Sequence, residues 1–530
     1  MSTSNTSVRE AVRAFLRAQA MTTVFGNPGS TELKFFRDWP ADFRYVLGLQ
    51  ESCCVAMADG YAQATGNAAF VNLHSAAGVG HALGSVFTAY RNQTPLVITA
   101  GQQTRAMFPT DPYLYASQAA EFPKPYVKFS VEPARAADVP AAIARAYYLA
   151  MQKPCGPTFV SVPEDDWDEA TTPMEPRRVA FDIAPDPAAL SALATALSIS
   201  HRPVIVVGAA VDQDDAWALA VELAERLEAP VWASPMSGRA SFPEDHRLFA
   251  GHLPPVRSQL ATKLSGHDFI LVLGAPVFTY HVHTPGEFAP PGVLLWQLTD
   301  DPEWAARSPV GASVRCSLRL GMSQLLGMLG PQIRAPASGR VKSAAPTVSD
   351  NPTGAWLMAT ISRLMPRDAV VVEEAPTHRG VLREFLPIRT SGGFYAGASG
   401  GLGWAVPAAV GVALAEPQRK VICIVGDGSS LYSIQALWTA MEHALPVTFV
   451  IFNNGGYGAL KSFGGMLGIP GAPGQDVGGV DFAALARGFG CEGVRVTRAD
   501  ETERALESAL AAKGPTLVEV RLSEGIERLY

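Results

Sequence analysis

Two polar turns in the last third of the chain carry residue types that could bind a metal ion. Asp427 lies in Gly-Asp-Gly after the apolar run 421–425, and Asn454 lies in Asn-Asn-Gly-Gly-Tyr after the apolar run 447–452. Both runs have the character of buried parallel strands, and open parallel sheets bind ligands where their strands end. A carboxylate, an amide oxygen and a nearby carbonyl suit a hard cation completed by phosphate oxygens and water. The pattern therefore predicts a diphosphate anchor.

Each turn alone is equally consistent with an ordinary connection between a strand and a helix, where Asp and Asn are common. The pair, 27 positions apart, is more specific. It resembles the cofactor signature of the thiamine-diphosphate enzymes. The resemblance implies that Asp427, Asn454 and the carbonyl of Gly456 hold the metal ion, which would be Mg²⁺ with Ca²⁺ as the alternative.

The same resemblance implies further contacts to thiamine diphosphate. Glu51, which alone would pass for a surface carboxylate at a strand end, would hydrogen-bond to the aminopyrimidine ring of the cofactor. The main chain at Gly400 would accept a hydrogen bond from that ring, and Leu402 would support the bent conformation of the cofactor. At position 378 this chain resembles those family members whose histidine contacts the diphosphate of the cofactor. The predicted cofactor-binding residues are Glu51, Thr377, His378, Gly400, Leu402, Gly426, Gly428, Ser429 and Tyr457.

Segments in all three thirds of the chain resemble benzoylformate decarboxylases, a group within this family. These segments are residues 25–33, 72–78, 100–107, 274–281, 400–405 and 453–460. Ser30, His74 and His281 match the catalytic positions of that group, together with Glu51. The resemblance implies that Ser30 holds the substrate and that the two histidines move protons, although His281 alone would be interpreted as an ordinary loop histidine.

The implied reaction is the non-oxidative decarboxylation of a 2-oxo acid to an aldehyde and carbon dioxide. Benzoylformate or a related aryl or bulky 2-oxo acid is the expected substrate. Two features depart from the group. In residues 373–379 the group has mainly small hydroxyl residues, whereas this chain has Glu-Glu-Ala-Pro-Thr-His-Arg. Ala396 stands where the group presents an aromatic residue, so a larger or reshaped pocket is expected. The predicted substrate pocket, whose members could each be ordinary packing residues, consists of Tyr113, Leu114, Ala396, Ala459, Leu460 and Phe463.

The elements that must position these residues form three units. Apolar runs alternating with helical segments predict an α/β protein with three doubly wound parallel-sheet domains. The expected domains are residues 1–172 for the pyrimidine ring, 186–335 in the middle and 352–530 for the diphosphate and metal, with linkers at 171–187 and 336–352. The first strand of the middle unit lacks the Gly-x-Gly-x-x-Gly turn, so a dinucleotide role is not expected there.

In the first unit, each of three predicted strands is followed closely by a candidate site residue. These strands cover residues 23–25, 44–49 and 69–73. Ser30, Glu51 and His74 come after their ends, so one ligand could meet all three. In the third unit, residues 433–443 are predicted to form the helix between the two strands that end near Asp427 and Asn454.

The amino-acid composition limits the classes of protein to which this chain can belong. The 530 residues are 48% hydrophobic and 17% charged, which is typical of a globular chain with more than one core. A net charge of −7 argues against a nucleic-acid surface, and no apolar run reaches membrane-spanning length. Six cysteines without Cys-x-x-Cys spacing and the absence of a signal peptide pattern indicate a cytoplasmic protein with reduced thiols.

The family places the pyrimidine-binding glutamate and the metal site on different subunits, so the resemblance implies a homo-oligomer, a dimer at least and usually a tetramer. One alternative is a carboligase or acetolactate-synthase-like enzyme; the two histidines favour aldehyde release instead. Another is a non-catalytic scaffold of the same fold. The presence of Glu51, Asp427 and Asn454 argues against that scaffold.

Overall fold

The computed structural model describes residues 6–331, 334, 339–340, 343–347, 350–523 and 529. It contains three six-stranded parallel sheets flanked by helices, which confirms the predicted fold class. Much of the predicted linker at 336–352 lies outside the described residues. Among the described helices, none is both long enough and apolar enough to cross a membrane.

The first unit is built around a sheet whose strands all run in one direction. In spatial order the strands are Arg44–Leu47, Thr23–Asn27, Ala69–Leu73, Leu96–Gln102, Pro157–Pro163 and Ser130–Val131. The α-helices are Val8–Ala18, Leu33–Phe36, Glu51–Thr65, Ser75–Asn92 and Val139–Met151, and the 3₁₀ turns are Ser30–Glu32, Arg105–Thr110, Ala119–Glu121, Ala136–Asp138 and Glu164–Asp168. A small antiparallel sheet pairs Thr6–Ser7 with Ala170–Thr171.

The middle unit has the same kind of sheet. In spatial order its strands are Phe249–His252, Val231–Ala233, Pro203–Val207, Phe269–Leu273, Leu294–Thr299 and Ala312–Arg315. Its helices are Pro187–Ile199, Ala209–Gln213, Trp217–Leu227, Arg257–Lys263, Pro302–Arg307 and Leu318–Met328.

The third unit contains the turns that carry Asp427 and Asn454. In spatial order its strands are Phe394–Ala396, Val370–Glu374, Val421–Gly426, Val447–Asn453, Thr516–Arg521 and Glu492–Val496. Its α-helices are Gly354–Leu364, Arg379–Phe385, Ala405–Ala415, Asp427–Ser430, Ala436–Glu442, Gly458–Met466, Phe482–Gly488 and Ala499–Ala511, with a 3₁₀ turn at Pro376–His378.

Several predicted boundaries differ from the structure by a few residues, and two of them concern elements next to candidate site residues. The strand expected at 44–49 ends at Leu47, and Glu51 is the first residue of the next helix because the extended Gln50 caps it, accepting from the Ser52 amide at 2.7 Å. The helix expected at 433–443 covers only Ala436–Glu442, since residues 427–430 form a separate short helix and turns connect the two.

The first and third units share one hydrophobic core. Helices Glu51–Thr65 and Ala405–Ala415 cross there in direct backbone contact. A Cβ atom at Gly60 would clash with the carbonyl of Ala408, and one at Gly411 would clash with the carbonyl of Met57. This close approach fixes the first unit against the third within a single chain.

Candidate active site

A cavity of about 390 Å³ opens where strands Val421–Gly426 and Val447–Asn453 end. Asp427, Asn454 and Gly456 all line it. The structure therefore brings together the two polar turns that the sequence places at neighbouring strand ends.

The atoms around Asp427 and Asn454 suit a cation. The Asp427 carboxylate accepts from the amides of Gly428 and Gly456, each at 2.8 Å, and burial raises the pKa of its carboxyl group. The Asn454 side-chain oxygen is buried without a hydrogen-bond partner among the described residues. A buried, unpartnered oxygen beside a buried carboxylate fits the ligand set of a hard divalent ion.

Gly456 can bring its backbone into this position because it has no side chain. Its φ of +150° is in the region that favours glycine, and a Cβ atom would clash with the carbonyl of Gln475. The neighbouring amide of Tyr457 donates to that same carbonyl at 2.8 Å, which fixes the turn. The third predicted metal ligand is thus a backbone group held in place by its neighbours.

The remaining walls of the cavity come from four loops. Eight of the nine predicted cofactor-binding residues line it, all except Glu51: Thr377, His378, Gly400, Leu402, Gly426, Gly428, Ser429 and Tyr457. Burial lowers the pKa of His378 to about 4, so its ring is neutral at pH 7 and can donate one N–H. The Thr377 hydroxyl accepts from the Ala459 amide at 3.0 Å and joins two of these loops.

A second hollow of about 860 Å³ adjoins this cavity and shares Thr377, Leu402 and Ala459 with it. The middle unit contributes His281, and the third unit contributes Phe463. Their rings meet edge to face with centroids 5.0 Å apart. An imidazole and an aromatic ring thus lie next to the cavity that carries Asp427.

Ala396 is separate from this group. It ends a short strand, and its amide donates to the carbonyl of Gly238 at 2.8 Å. It lines hollows beside Arg239 and belongs to neither cavity described above. The structure therefore does not bring Ala396 together with His281 or Phe463, because strand pairing turns it towards the middle unit.

The first unit holds His74 at the end of strand Ala69–Leu73. Its Nδ1 lies 2.9 Å from the Glu32 carboxylate and 3.2 Å from the Thr31 hydroxyl. A Cβ atom at Gly29 would clash with the ring, so the Gly29 turn packs directly on the imidazole. Ser30 follows at the exposed start of a 3₁₀ turn.

Glu51 lies at the start of the next helix of the same unit. Its carboxylate is 3.1 Å from His81 Nδ1, and an added Cβ at Gly78 would be 3.2 Å from one of its oxygens. Gly78 donates its amide to the carbonyl of His74 at 2.8 Å. One helix, Ser75–Asn92, thus connects the surroundings of His74 with those of Glu51.

Comparisons with known proteins assign the chain to a family. The models of the thiamine pyrophosphate enzymes match residues 6–119 (N-terminal TPP binding domain), 190–325 (central domain) and 375–520 (C-terminal TPP binding domain). The chain is also 44% identical over 519 residues to benzoylformate decarboxylase of Pseudomonas aeruginosa, covering 97% of this chain and 98% of that protein. The chain belongs to the thiamine pyrophosphate enzymes.

Solved structures agree. A benzoylformate decarboxylase from Polynucleobacter necessarius has a TM-score of 0.96 at 39% identity, covering 98% of this chain and 99% of that one. A thiamine diphosphate-dependent 4-hydroxybenzoylformate decarboxylase from Rhodococcus jostii RHA1 has a TM-score of 0.95 at 42% identity, covering 98% and 100%. This thiamine pyrophosphate enzyme therefore resembles benzoylformate decarboxylases along its whole described length.

The two groups of site residues do not meet within one chain of this thiamine pyrophosphate enzyme. Among the described residues, neither Ser30, Glu51 nor His74 lines the cavity with Asp427 or the hollow with His281. Tyr113 and Leu114 also line neither, and the Tyr113 side chain is 86% exposed. One chain presents two separate half-sites.

Sequence reasoning missed two buried carboxylates beside the predicted site. Glu32 supports the His74 loop, accepting from the amides of Gly29 at 2.8 Å and Gly101 at 2.9 Å. Glu374 accepts from the backbone amides at the end of the turn that carries Gly400. Their only signal in the sequence is a carboxylate next to a strand end or turn, which many surface residues share.

Proposed function

We propose that this chain decarboxylates a 2-oxo acid without oxidation, releasing an aldehyde and carbon dioxide, and that benzoylformate or a related aryl 2-oxo acid is the substrate. The observation that carries this proposal is that two cavities adjoin. The cavity around Asp427 shares lining residues with the hollow where His281 meets Phe463. The three named relatives are decarboxylases of aryl 2-oxo acids by their own names.

The cavity around Asp427 is the one whose residues suit thiamine diphosphate. Asp427, Asn454 and the Gly456 carbonyl would hold Mg²⁺, or Ca²⁺ in its place, because a buried carboxylate and an unpartnered amide oxygen satisfy a hard cation. His378 and Ser429 would donate to the diphosphate. The bound cofactor supplies the acceptor for the electron pair that carbon dioxide leaves behind.

The chain's own residues would orient the substrate and move protons. Ser30 would hold the carboxylate of the 2-oxo acid, and His74, fixed by Glu32, would exchange a proton at the neighbouring oxygen. His281 would deliver the proton that replaces carbon dioxide. Phe463, together with Ala459 and Leu460, would pack against the aryl group of the substrate.

Glu51 would hydrogen-bond to the aminopyrimidine of a cofactor held by a second copy of the chain. Exposed apolar side chains flank both half-sites, as an interface between copies requires. In the first unit these include Leu33 and Tyr113, 64% and 86% exposed, and in the third unit Leu467 and Ile469, 72% and 57% exposed. The proposed assembly is a homodimer at least, with a tetramer as the larger form.

A cytoplasmic location is part of the same proposal. Its support is the state of the six cysteines, all of which are free. Disulfides are rare in the reducing cytoplasm, so a chain of this size with six unpaired cysteines suits that compartment.

The experiment is a panel of 2-oxo acids incubated with purified protein, thiamine diphosphate and Mg²⁺. Benzoylformate, 4-hydroxybenzoylformate, phenylpyruvate, a branched aliphatic acid and pyruvate are compared by carbon dioxide release and aldehyde formation. We expect the aryl acids to react fastest, with equal amounts of both products. Acyloin as the main product would support the carboligase instead, and no reaction with any acid would overturn the proposal.

A further inference from the structure

The turn at residues 397–404 connects strand Phe394–Ala396 with helix Ala405–Ala415. It carries Gly400 and Leu402, which line both the cavity around Asp427 and the adjoining hollow. The turn has no helical or strand hydrogen bonds of its own. The Gly401 amide donates to the Ser399 hydroxyl at 3.0 Å within the turn, and the other side-chain bonds that hold it come from groups outside.

Glu374 holds the end of this turn from below. Its side chain is buried at the end of strand Val370–Glu374, and its carboxylate accepts from the amides of Gly403 at 2.6 Å, Trp404 at 2.8 Å and Ala405 at 2.9 Å. These amides belong to the start of helix Ala405–Ala415, where backbone donors lack partners within the helix.

Asp59 holds the same turn from the first unit. It is fully buried in helix Glu51–Thr65 and accepts from the indole N–H of Trp404 at 2.7 Å. It also accepts from the side chains of Asn92 at 2.8 Å and Thr94 at 2.5 Å. A helix of the first unit thus fixes a side chain in the cofactor turn of the third unit.

The other end of the turn is tied to the first unit as well. The Asn92 side-chain oxygen accepts from the Ala398 amide at 2.8 Å, and the hydroxyls of Thr88 and Ser399 are 2.8 Å apart. Bonds therefore fix residues 398–399 and 403–405. Between them Gly400, with φ of +77°, has open space where a side chain would be.

We propose that Glu374 and Asp59 are positioning residues that hold the 397–404 turn in the shape that binds the cofactor. This inference rests on the proposed function for the identity of the cofactor. Glu374 fixes the turn relative to the sheet of the third unit, and Asp59 fixes the turn relative to the first unit. Neither residue lines the cavity around Asp427, although Glu374 lines the adjoining hollow; both act through the backbone that carries Gly400 and Leu402.

The test compares thiamine diphosphate binding by the full-length protein with Mg²⁺, measured by calorimetry, for the wild type, Glu374→Gln and Asp59→Asn. Glutamine at 374 replaces an oxygen acceptor with an N–H₂ donor facing backbone donors. We expect the dissociation constant to rise at least about 10-fold for Glu374→Gln and about 5-fold for Asp59→Asn. Hydrogen exchange of the 397–405 amides should quicken in both variants.

Asp268→Asn is the matched control. That carboxylate also fixes a turn through three donors, the Ser200 hydroxyl at 2.6 Å and the amides of His201 and Arg202 at 2.8 and 2.9 Å, but it lies in the middle unit. Its variant should bind the cofactor within about 2-fold of the wild type. Equal affinity for the wild type, Glu374→Gln and Asp59→Asn would overturn the positioning role.

Trp404→Phe covers the case in which a charge variant does not fold. It removes the indole N–H that Asp59 accepts, together with part of the buried ring volume, and keeps an aromatic ring in the core. We expect about 3-fold weaker cofactor binding, and unchanged affinity would contradict the role of Asp59. If the wild type itself fails to bind thiamine diphosphate, the proposed function is wrong; if it binds and the variants bind equally well, only the positioning role is wrong.

Discussion

The two half-sites of the chain are built differently. In the third unit, Asp427 and His378 are 2% and 8% exposed, and loops of the same unit close around them. In the first unit, the His74 side chain is 25% exposed and Ser30 is exposed. The proposed anchor for the cofactor is thus enclosed within one chain, whereas the proposed reacting groups of the first unit are open to solvent in that chain. Binding and reaction should therefore be separable by mutation.

The largest effect is expected at the anchor. Asp427→Ala removes the buried carboxylate that accepts from the amides of Gly428 and Gly456 and lines the same cavity as Asn454. We expect decarboxylation to fall by about 1,000-fold or more, because the diphosphate loses its metal bridge. Calorimetry with thiamine diphosphate and Mg²⁺ should show no binding at micromolar cofactor.

Asp300→Asn is a control for losing a buried carboxylate, since it lies in the middle unit and lines neither cavity. It should retain cofactor binding. Normal cofactor affinity in Asp427→Ala would contradict the assignment of the anchor.

Glu51→Gln should keep cofactor binding but slow the reaction, whereas Asp427→Ala should lose both. This residue lies in the first unit, away from the anchor, so thiamine diphosphate should bind within about 10-fold of the wild-type affinity. The rate of decarboxylation should nevertheless fall about 100-fold or more, because a positioned proton donor or acceptor contributes that much. Steady-state kinetics at saturating cofactor measure the loss; a rate close to that of the wild type would refute a reacting role for Glu51.

A smaller effect is expected where one residue acts through another. Glu32→Gln removes the charge that faces His74 Nδ1 at 2.9 Å and fixes the tautomer of that ring. We expect a 10- to 100-fold lower kcat, as for other groups that orient a functional histidine, with cofactor affinity unchanged. Glu10→Gln, at a partly exposed ion pair with Arg13, is the control. A kcat within about 2-fold of the wild-type value would argue against this role.

The smallest effect concerns stability and pH. Burial raises the pKa of Glu374 to about 7 from 4.5, despite three amide donors and with Glu373 adding to the rise. A raised pKa favours the protonated carboxyl in the folded protein, so this residue stabilises less as pH rises from about 4.5 to about 7. Relative to Glu374→Gln, the wild type should lose about 2–3 kcal/mol between pH 5 and 8.

Urea midpoints of both proteins at pH 5, 6, 7 and 8 measure this difference. Cys423 also faces Glu374, and burial keeps the pKa of that thiol well above its usual range, so it stays neutral throughout. A difference between the two proteins that does not change with pH would show that Glu374 does not titrate in this window.

The sequence predicted what depends on local pattern. Asp427 and Asn454 follow apolar runs, so their placement at one edge of a sheet follows from strand polarity alone. Glu32 and Glu374 could not be found in this way, because the amides they bind come from Gly101 and Gly403, 69 and 29 positions away. Such contacts depend on how distant segments pack.

Ala396 shows the same limit. The resemblance predicts it in the substrate pocket, which stays a prediction; within one chain, the pairing of its strand with Val370–Glu374 and the bridge between Arg239 and Tyr395 direct this segment towards the middle unit. The register of a short edge strand is a tertiary property that the local sequence does not record. The division of the site between two copies was likewise implied only by the family and stays a prediction.

The most direct test of that division mixes two inactive variants, Glu51→Gln and Asp427→Ala, by coexpression and measures decarboxylation of the best aryl 2-oxo acid. If each site combines Glu51 of one chain with Asp427 of another, a mixed dimer has one intact site, and random pairing gives about a quarter of wild-type activity. If both residues serve a site within one chain, every site is damaged. Activity no higher than that of the separate variants would contradict the account.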